Sequence, residues 1–551
     1  MSKKILILGA GYAGIQTALV LQKKKKKQDD IEISIIDKNP YHTLLTELHE
    51  VAGNRISEDG VIVPLKDIFK YTDVKIIQDN ISRIDFNGNK LISDEREYKY
   101  DYLVIALGSE PNYYGIPGME ENCFPLWSLK DAIAIREHIK ECFRKAANTN
   151  DPLVRRKLLT FVIGGGGFTG VEMAGELAQW KKLLCKEYGI PQNEPEIILV
   201  EALPRILSAL KESNSKKAMN YLVKKLNVKV LLNSAITSLT PDEVQLKDMK
   251  PISTNTLIWT AGVKADGLSE ILDISKGKAG RIEVNEYTQT QYENVYSVGD
   301  VSAFNAGGKT LPALVESALQ TGEAAALNIL ASIRKQEKKK LEPKLRGVMV
   351  SIGSFFAVSD IMSVQYPRLI SIMLKYFVNM HYLFGIGGFE LVLKYLRHEF
   401  FEKRQEKFLI EKHYSVKTQA FWLVPIRIFL GYAWLTEGIN KIKENWLVEP
   451  LLAGAQLDGN TSASVTETGE KVFRIVSDHT PSWYAWIAEN IVVPNAMFFQ
   501  VLIVLAEIGL GLAFITGTFT FLAGIAALGL NINFILSTGL YSYNWWFIPA
   551  A

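Results

Sequence analysis

KILILGAGYAGIQTAL, Lys4 to Leu19, is the stretch on which the reading of this chain turns. The apolar run Ile5 to Leu8 predicts a buried strand, and Gly9, Gly11 and Gly14 follow it at GxGxxG spacing before a helical run. In such a turn the first glycine permits the sharp bend and the second lets backbone approach a pyrophosphate. The third allows helix and strand to pack closely, and the helix N-terminus offers N–H groups to the anion. The next apolar strand, Ile31 to Ile36, ends in Asp37, placed to accept hydrogen bonds from a ribose. Strand, glycine turn, helix and acid in this order predict a dinucleotide cradle rather than a plain structural turn.

The pattern occurs twice. LLTFVIGGGGFTGVEMAGEL, Leu158 to Leu177, carries Gly165, Gly167 and Gly170 at the same spacing, and the following apolar strand, Ile197 to Val200, ends in Glu201. A carboxylate there welcomes a ribose 2′-hydroxyl and repels a 2′-phosphate, so NADH is expected over NADPH, with Arg205 near enough to blur the preference. Between the two units, YLVIALG (Tyr102 to Gly108, with Ala106 and Gly108 in its turn) reads as a strand. Pro111, Pro117 and Gly118 then punctuate a crossing from one lobe to another, and Leu129 to Ala147 reads as a helix. TLIWTAGV, Thr256 to Val263, closes the second unit with a turn at Gly262, and NVYSVGDVSA, Asn294 to Ala303, places Gly299 and Asp300 at a strand end ahead of a helix after Leu311.

A chain of 551 residues holds several domains, and a net charge of +3 gives no reason to expect a nucleic-acid partner. Three cysteines, Cys123, Cys142 and Cys185, have no close pairing, which argues against a disulfide framework or a cysteine metal site. The N-terminus enters a strand directly, so no signal peptide is read, and the nucleotide-binding part is expected in the cytoplasm. Lys23 to Lys27 is a run of five lysines, either a solvated helix end or an attraction to anionic lipid headgroups.

The two glycine loops, ALG at Ala106 to Gly108, WTAGV at Trp259 to Val263 and SVGD at Ser297 to Asp300, in that order, resemble the two-dinucleotide flavoproteins. The resemblance implies two Rossmann-like domains, one inserted in the other: the first binds FAD, the second binds NAD(P)H, and Asp300 contacts the flavin's ribitol and phosphate region. The stretch Tyr41 to Asn54, where disulfide-reducing relatives carry two redox cysteines, has none. HTLLTELHEVAG, VIGGGGFTGVEMAGEL and LPALVESALQTG are similar to segments of the type II NADH dehydrogenases, over residues 3 to about 402. Those enzymes pass a hydride from NADH to FAD and two electrons to a membrane quinone. The resemblance puts Glu172 near nicotinamide and flavin, where the plainer alternative is an acid on the helix macrodipole. It also puts Glu316 and Gln320 at the quinone headgroup. Glu316 departs from the family's AQxAxQ. In an apolar tunnel its pKa is expected to rise, making it a hydrogen-bond or proton donor, against the alternative of a surface glutamate. Sulfide:quinone oxidoreductases share the fold but need a late cysteine, and none follows Cys185.

Pro343 is read as ending the helix that carries Lys338 to Lys340, before a strand-like Gly347 to Ser354. Arg368, Ser371, Lys375, Asn379 and Tyr382 form one polar stripe, and Glu390, Lys394, Arg397, His398 and Glu402 another. Two amphipathic helices joined at Gly385 to Gly388 are expected to lie on the bilayer with Lys375, Lys394 and Arg397 near headgroups, and His381 is read as a packing histidine rather than a proton relay. Three apolar runs follow, Gln419 to Gly438, Val493 to Ile515 and Thr518 to Ser537, each near the roughly 20 residues that span a bilayer. Trp422, Trp434, Trp545 and Trp546 sit toward their ends. Arg427, Gly431, Gly438 and Lys441 have the spacing of DoxX-like membrane proteins, which have four spans, so a fourth is expected to be absent or cut off at Ala551. Arg427, Glu437 and Glu507 are expected to face the bundle interior and pair. The basic stretch Lys394 to Lys417 and the more acidic loop Glu444 to Asn490 put the flavoprotein in the cytoplasm and the loop outside.

The expected architecture is an FAD-binding domain at 1–113 and 270–342, an NADH-binding domain at 114–269, membrane-surface amphipathic helices at 343–415 and an all-α DoxX-like transmembrane domain at 416–551. The expected activity is membrane-bound, non-pumping NADH:quinone oxidoreduction, with a menaquinone-type acceptor and a dedicated or extracellular electron-transfer branch as elaborations. The alternative is a non-catalytic NADH-responsive sensor or membrane scaffold. Expected partners are FAD, NADH, a membrane quinone and the lipid bilayer, with a homodimer and a membrane protein held by the C-terminal part as further candidates.

Overall fold

The computed structural model describes residues 2–306, 309–361, 368–401, 423–452 and 480–538. The chain forms two compact units, Met1–Lys407 and Phe408–Ala551.

The first unit is built on two parallel sheets. One has the strand order Val295–Ser297, Tyr102–Ile105, Lys3–Leu8, Ile31–Asp37, Lys75–Gln78. Its centre is the opening strand, whose Ile5 and Ile7 enter one core while Leu6 and Leu8 enter another on the opposite face. Alternation of side chains with both faces covered is why the run is apolar throughout. The second sheet has the order Phe124–Pro125, Thr256–Trp259, Thr160–Gly164, Glu196–Val200, Lys229–Leu231. The chain leaves the first sheet at Ser109–Pro111 and returns at Val263–Ala265, and these two segments pair as an antiparallel ribbon. One nucleotide fold is thereby inserted in the other.

Both glycine turns open helices, Tyr12–Lys24 and Phe168–Tyr188. Helix Val315–Ile333 packs along Tyr12–Lys24, where Gly322 permits contact: a Cβ there would lie 2.5 Å from the Ala13 carbonyl oxygen. That helix stops well before Pro343. Lys335 takes a left-handed φ of 54° and Gln336 N–H returns to the Ala331 carbonyl at 2.8 Å, closing the last turn, so Lys338 to Lys340 lie beyond the helix and not in it. The strand at Gly347–Ser351 pairs with Ala357–Ile361. Arg368–Phe401 holds the two expected amphipathic helices, separated by a kink where Gly387 and Gly388 leave helical geometry, within the expected joint at Gly385 to Gly388.

In the second unit, helix Leu423–Lys443 packs on Ala496–Thr516, with Gly511 so close that a Cβ would lie 2.7 Å from Leu435 N. Among the described residues two helices are long and apolar enough to cross a membrane, Ser482–Thr516 and Thr520–Ser537. The expected third, the run from Gln419, becomes the helix Leu423–Lys443, which carries Arg427, Glu437, Lys441 and Lys443 and does not qualify. The expected pairing is also corrected: Glu507 pairs with Lys441 at 2.9 Å, and Glu437 is exposed. Trp422, Trp545, Trp546, Glu402 and most of the loop after Leu452 lie outside the described residues.

Candidate functional site

At the first cradle, Gly9 has φ 107°, and a Cβ on Gly14 would fall 1.9 Å from the Gly9 carbonyl oxygen. The second cradle repeats this, with φ 109° at Gly165 and the same 1.9 Å between Gly170 and the Gly165 carbonyl. Gly11 and Gly167, in contrast, face space with no atom within 4 Å. The turns are therefore closed by backbone on one side and open on the side where a pyrophosphate would approach.

Each acid clamps its loop. Asp37 accepts from Ala10 N–H at 2.7 Å and Asn39 N–H at 2.8 Å. Glu201 accepts from Gly166 N–H at 2.5 Å and Leu203 N–H at 2.8 Å. Arg205 spends its guanidinium on the carbonyls of Leu210 at 2.9 Å and Ser208 at 2.6 Å. Gly262, at the turn beside the second cradle, has φ 84°, and the hydroxyl of Tyr114 lies against it.

One cleft of about 2150 Å3 runs from the first cradle to the helix opened by the second, and Gly11, Asp37, Gly108, Gly299, Asp300 and Glu172 line it. Ala106 belongs to the same lining. Asp300 accepts from Ser109 Oγ at 3.1 Å, and burial raises its pKa. A cleft of this size, lined by an open glycine backbone at Gly11 and by the carboxyl of Asp300, fits FAD. Gly11, Asp37 and Asp300 would hold it, and Gly167, Glu201 and Gly262 would receive NADH.

Where the cleft meets the second cradle's helix, a buried charged cluster appears that sequence reading missed. Lys375 Nζ lies 3.1 Å from Glu47 and 2.5 Å from Glu50. Arg55 pairs with Glu50 and, at 3.2 Å, with Glu176. Asn379 Nδ2 donates to Glu47 at 2.9 Å. The expectation that Lys375 reaches headgroups is thus corrected: its ammonium turns inward because two buried carboxylates need it. Glu172 is the least paired of the four acids. It accepts from Ser351 N–H at 3.2 Å and stands 3.7 Å from His49 Nδ1, and burial pushes its pKa up to about 8. His49 is held neutral by burial and by the nearby Lys375 and Arg55 cations. The sequence did hold a signal: Glu47 and Glu50 interrupt an apolar run, and Glu172 and Glu176 share a helix face.

His42 was also missed. Its Nδ1 sits 3.1 Å from the Ala10 carbonyl and its Nε2 3.0 Å from the Tyr382 hydroxyl, and burial lowers its pKa to about 4. A carbonyl only accepts, so Nδ1 carries the proton and Tyr382 donates to Nε2. His381, read as a packing histidine, is instead exposed at the cleft.

Glu316 and Gln320 line the cleft, but their polar atoms are engaged. Glu316 accepts from Arg346 N–H at 2.8 Å and lies 3.8 Å from that guanidinium, in place of the expected apolar tunnel. Gln320 donates to the Lys344 carbonyl and accepts from Lys344 N–H, both at 2.9 Å. Together they clasp the segment leading into strand Gly347–Ser351.

A family model described as pyridine nucleotide-disulphide oxidoreductase matches residues 3–322. The type II NADH:quinone oxidoreductase of Staphylococcus haemolyticus is 32% identical over 399 residues, covering 71% of this chain and 98% of that protein. The Staphylococcus aureus protein of the same name is 31% identical over 404 residues with the same coverages, 71% and 98%. Among solved structures, NDH2 from Plasmodium falciparum in complex with NADH superposes with a TM-score of 0.64 at 17% identity, covering 74% of this chain and 100% of that one. The sulfide:quinone oxidoreductase of Aquifex aeolicus gives 0.57 at 18%, covering 76% and 96%. These two share the fold. With a second glycine cradle repeating the first and relatives matched over nearly their full length, this chain belongs to the pyridine nucleotide-disulphide oxidoreductase family and, within it, to the type II NADH:quinone oxidoreductases, FAD-dependent NADH dehydrogenases.

Proposed function

We propose that the protein oxidises NADH and reduces a membrane quinone, with Glu172 as the group that holds a proton for the second half of the reaction. The observation that carries this is Glu172 itself, a half-buried carboxyl between the second cradle's helix and the cleft, with its pKa pushed up to about 8. Four carboxyls share the cluster with two cations, Arg55 and Lys375, so the least paired acid stays protonated at neutral pH. Bound FAD supplies hydride acceptance from NADH and two-electron delivery to quinone. Gly11 and Gly167 let backbone approach the two pyrophosphates, while Asp37 and Glu201 orient the riboses. Glu201 favours NADH, because the nearby Arg205 is committed to carbonyls and does not offer its charge to a 2′-phosphate. Glu316 and Gln320 shape the quinone end by fixing Lys344–Arg346, and Tyr382, held by His42, borders it.

The proposal extends to the division at 113, 269, 342 and 415, a cytoplasmic flavoprotein and a DoxX-like membrane domain. Support for the last is that Arg427, Gly431, Gly438 and Lys441 share one helix whose glycines meet the apolar helix Ala496–Thr516. A menaquinone-type acceptor and a dedicated or extracellular branch belong to the same reading.

Anaerobic stopped-flow absorbance on detergent-purified protein tests it. Flavin colour is expected to bleach with NADH and return with a short-chain naphthoquinone or ubiquinone. Bleaching that no quinone reverses would assign the protein to NADH sensing instead.

A further inference from the structure

Two lysine-rich segments far apart in sequence are held side by side. Arg334, just past helix Val315–Ile333, donates to the Asp29 carboxylate at 2.9 and 2.6 Å and to the Lys24 carbonyl at 2.8 Å. Lys23 to Lys27 thereby meet Lys335 to Lys340. Lys25 and Lys340 have acidic partners, Asp73 at 2.8 Å and Glu286 at 3.0 Å. Lys23, Lys24, Lys26, Lys27, Lys335 and Lys339 are exposed, against the exposed acids Asp30 and Glu337 and, on the cleft side, Glu323 and Glu342, which still leaves a surplus of positive charge.

The patch is continuous with the cleft. Lys23, Lys24 and Lys340 line it together with Phe377 and Val378, which are 61% and 51% exposed on helix Arg368–Phe401. Basic and exposed apolar residues thus line one cleft. We propose that this paired lysine edge is a docking surface for anionic phospholipid headgroups, which sets the cleft mouth against the bilayer. The inference rests on the membrane-quinone reading, since a substrate dissolved in lipid reaches the cleft only if its mouth faces the membrane. Charge complementarity selects the occupant: exposed lysines are attracted to an anionic leaflet within a Debye length of about 10 Å, and an apolar helix face lies in the same interface.

The test uses the full chain reconstituted into vesicles of phosphatidylcholine alone or of phosphatidylcholine with phosphatidylglycerol, each loaded with a long-chain quinone. The KM for that quinone is expected to be about 3- to 10-fold lower in the anionic vesicles at low salt, and the difference to vanish at high salt. A variant with Lys26, Lys27, Lys335 and Lys339 all changed to Gln is expected to lose the difference while keeping its rate with a short-chain quinone in detergent. An environment-sensitive fluorophore on Gln336→Cys reports the approach to lipid independently of turnover. It is expected to shift in anionic vesicles in the otherwise native chain and not in the four-lysine variant. Failure of every quinone to reoxidise flavin, with the fluorophore shift intact, overturns the quinone reading and leaves the docking surface standing. Equal fluorescence and equal KM in both lipids overturn the docking surface, as does a four-lysine variant that keeps the full lipid dependence. Retention of nucleic acid without lipid dependence assigns the patch to another polyanion and also overturns it.

Discussion

The carboxyl of Glu172 stands 3.7 Å from Nδ1 of His49, and at neutral pH neither group is predominantly charged. Burial acts in opposite directions on the two, raising the acid and lowering the base, and both end neutral. A neutral acid beside a cleft can donate a proton, so reoxidation of the flavin by quinone is expected to slow as pH rises through about 8. Glu172→Gln should slow that half-reaction by roughly 100-fold and flatten its pH profile. An unchanged inflection in the variant would place the donor elsewhere.

His42 ties stability to pH. Its pKa in the fold is about 4 against an ordinary 6.5, so below 6.5 the unfolded chain binds a proton that the folded chain refuses. Stability is expected to fall as pH drops from 6.5 toward 4, by about 3 kcal/mol from this group. Denaturant midpoints measured across that range should lose about one proton of slope in His42→Phe, with the similarly buried His49 retaining its own share.

The two glycine positions of the first cradle separate packing from binding. Gly14→Ala places a methyl 1.9 Å from the Gly9 carbonyl oxygen, whereas Gly11→Ala meets no atom within 4 Å. The first change is expected to lower the thermal midpoint and lose flavin. The second should leave the midpoint of the apo-protein unchanged and weaken FAD about 10-fold, read from the flavin-to-protein absorbance ratio.

In the proposed function Glu201 carries the nucleotide preference. Replacing it with Ala removes the acceptor for Gly166 N–H at 2.5 Å and the charge that this reading sets against the ribose. The KM for NADH should rise about 10-fold while that for NADPH changes less, narrowing the ratio of the two kcat/KM values. A ratio that does not move would transfer the preference to another residue.

The sequence by itself determined the nucleotide folds, because their signals are local. An apolar strand, glycines at fixed spacing and an acid at the next strand's end each constrain a few neighbouring residues, and the sheets place Gly11, Gly167, Asp37 and Glu201 as that spacing requires. The polar stripe on the late amphipathic segment was also legible, but its direction was not. A stripe shows which residues share a face and says nothing of what the face meets, so Lys375 reads as a headgroup contact until Glu47 and Glu50 are brought to it from more than 300 residues away. The same holds for Glu316, whose partner Arg346 lies in the segment leading into strand Gly347–Ser351, and for His42, which becomes a bridge only when Tyr382 arrives. The run from Gln419 failed as a span for a related reason: its length fitted, but the charges that make it a partner for Glu507 also lower its hydropathy. Only tertiary structure decides such matters, since the cost of burying a charge depends on which opposite charges the fold delivers beside it.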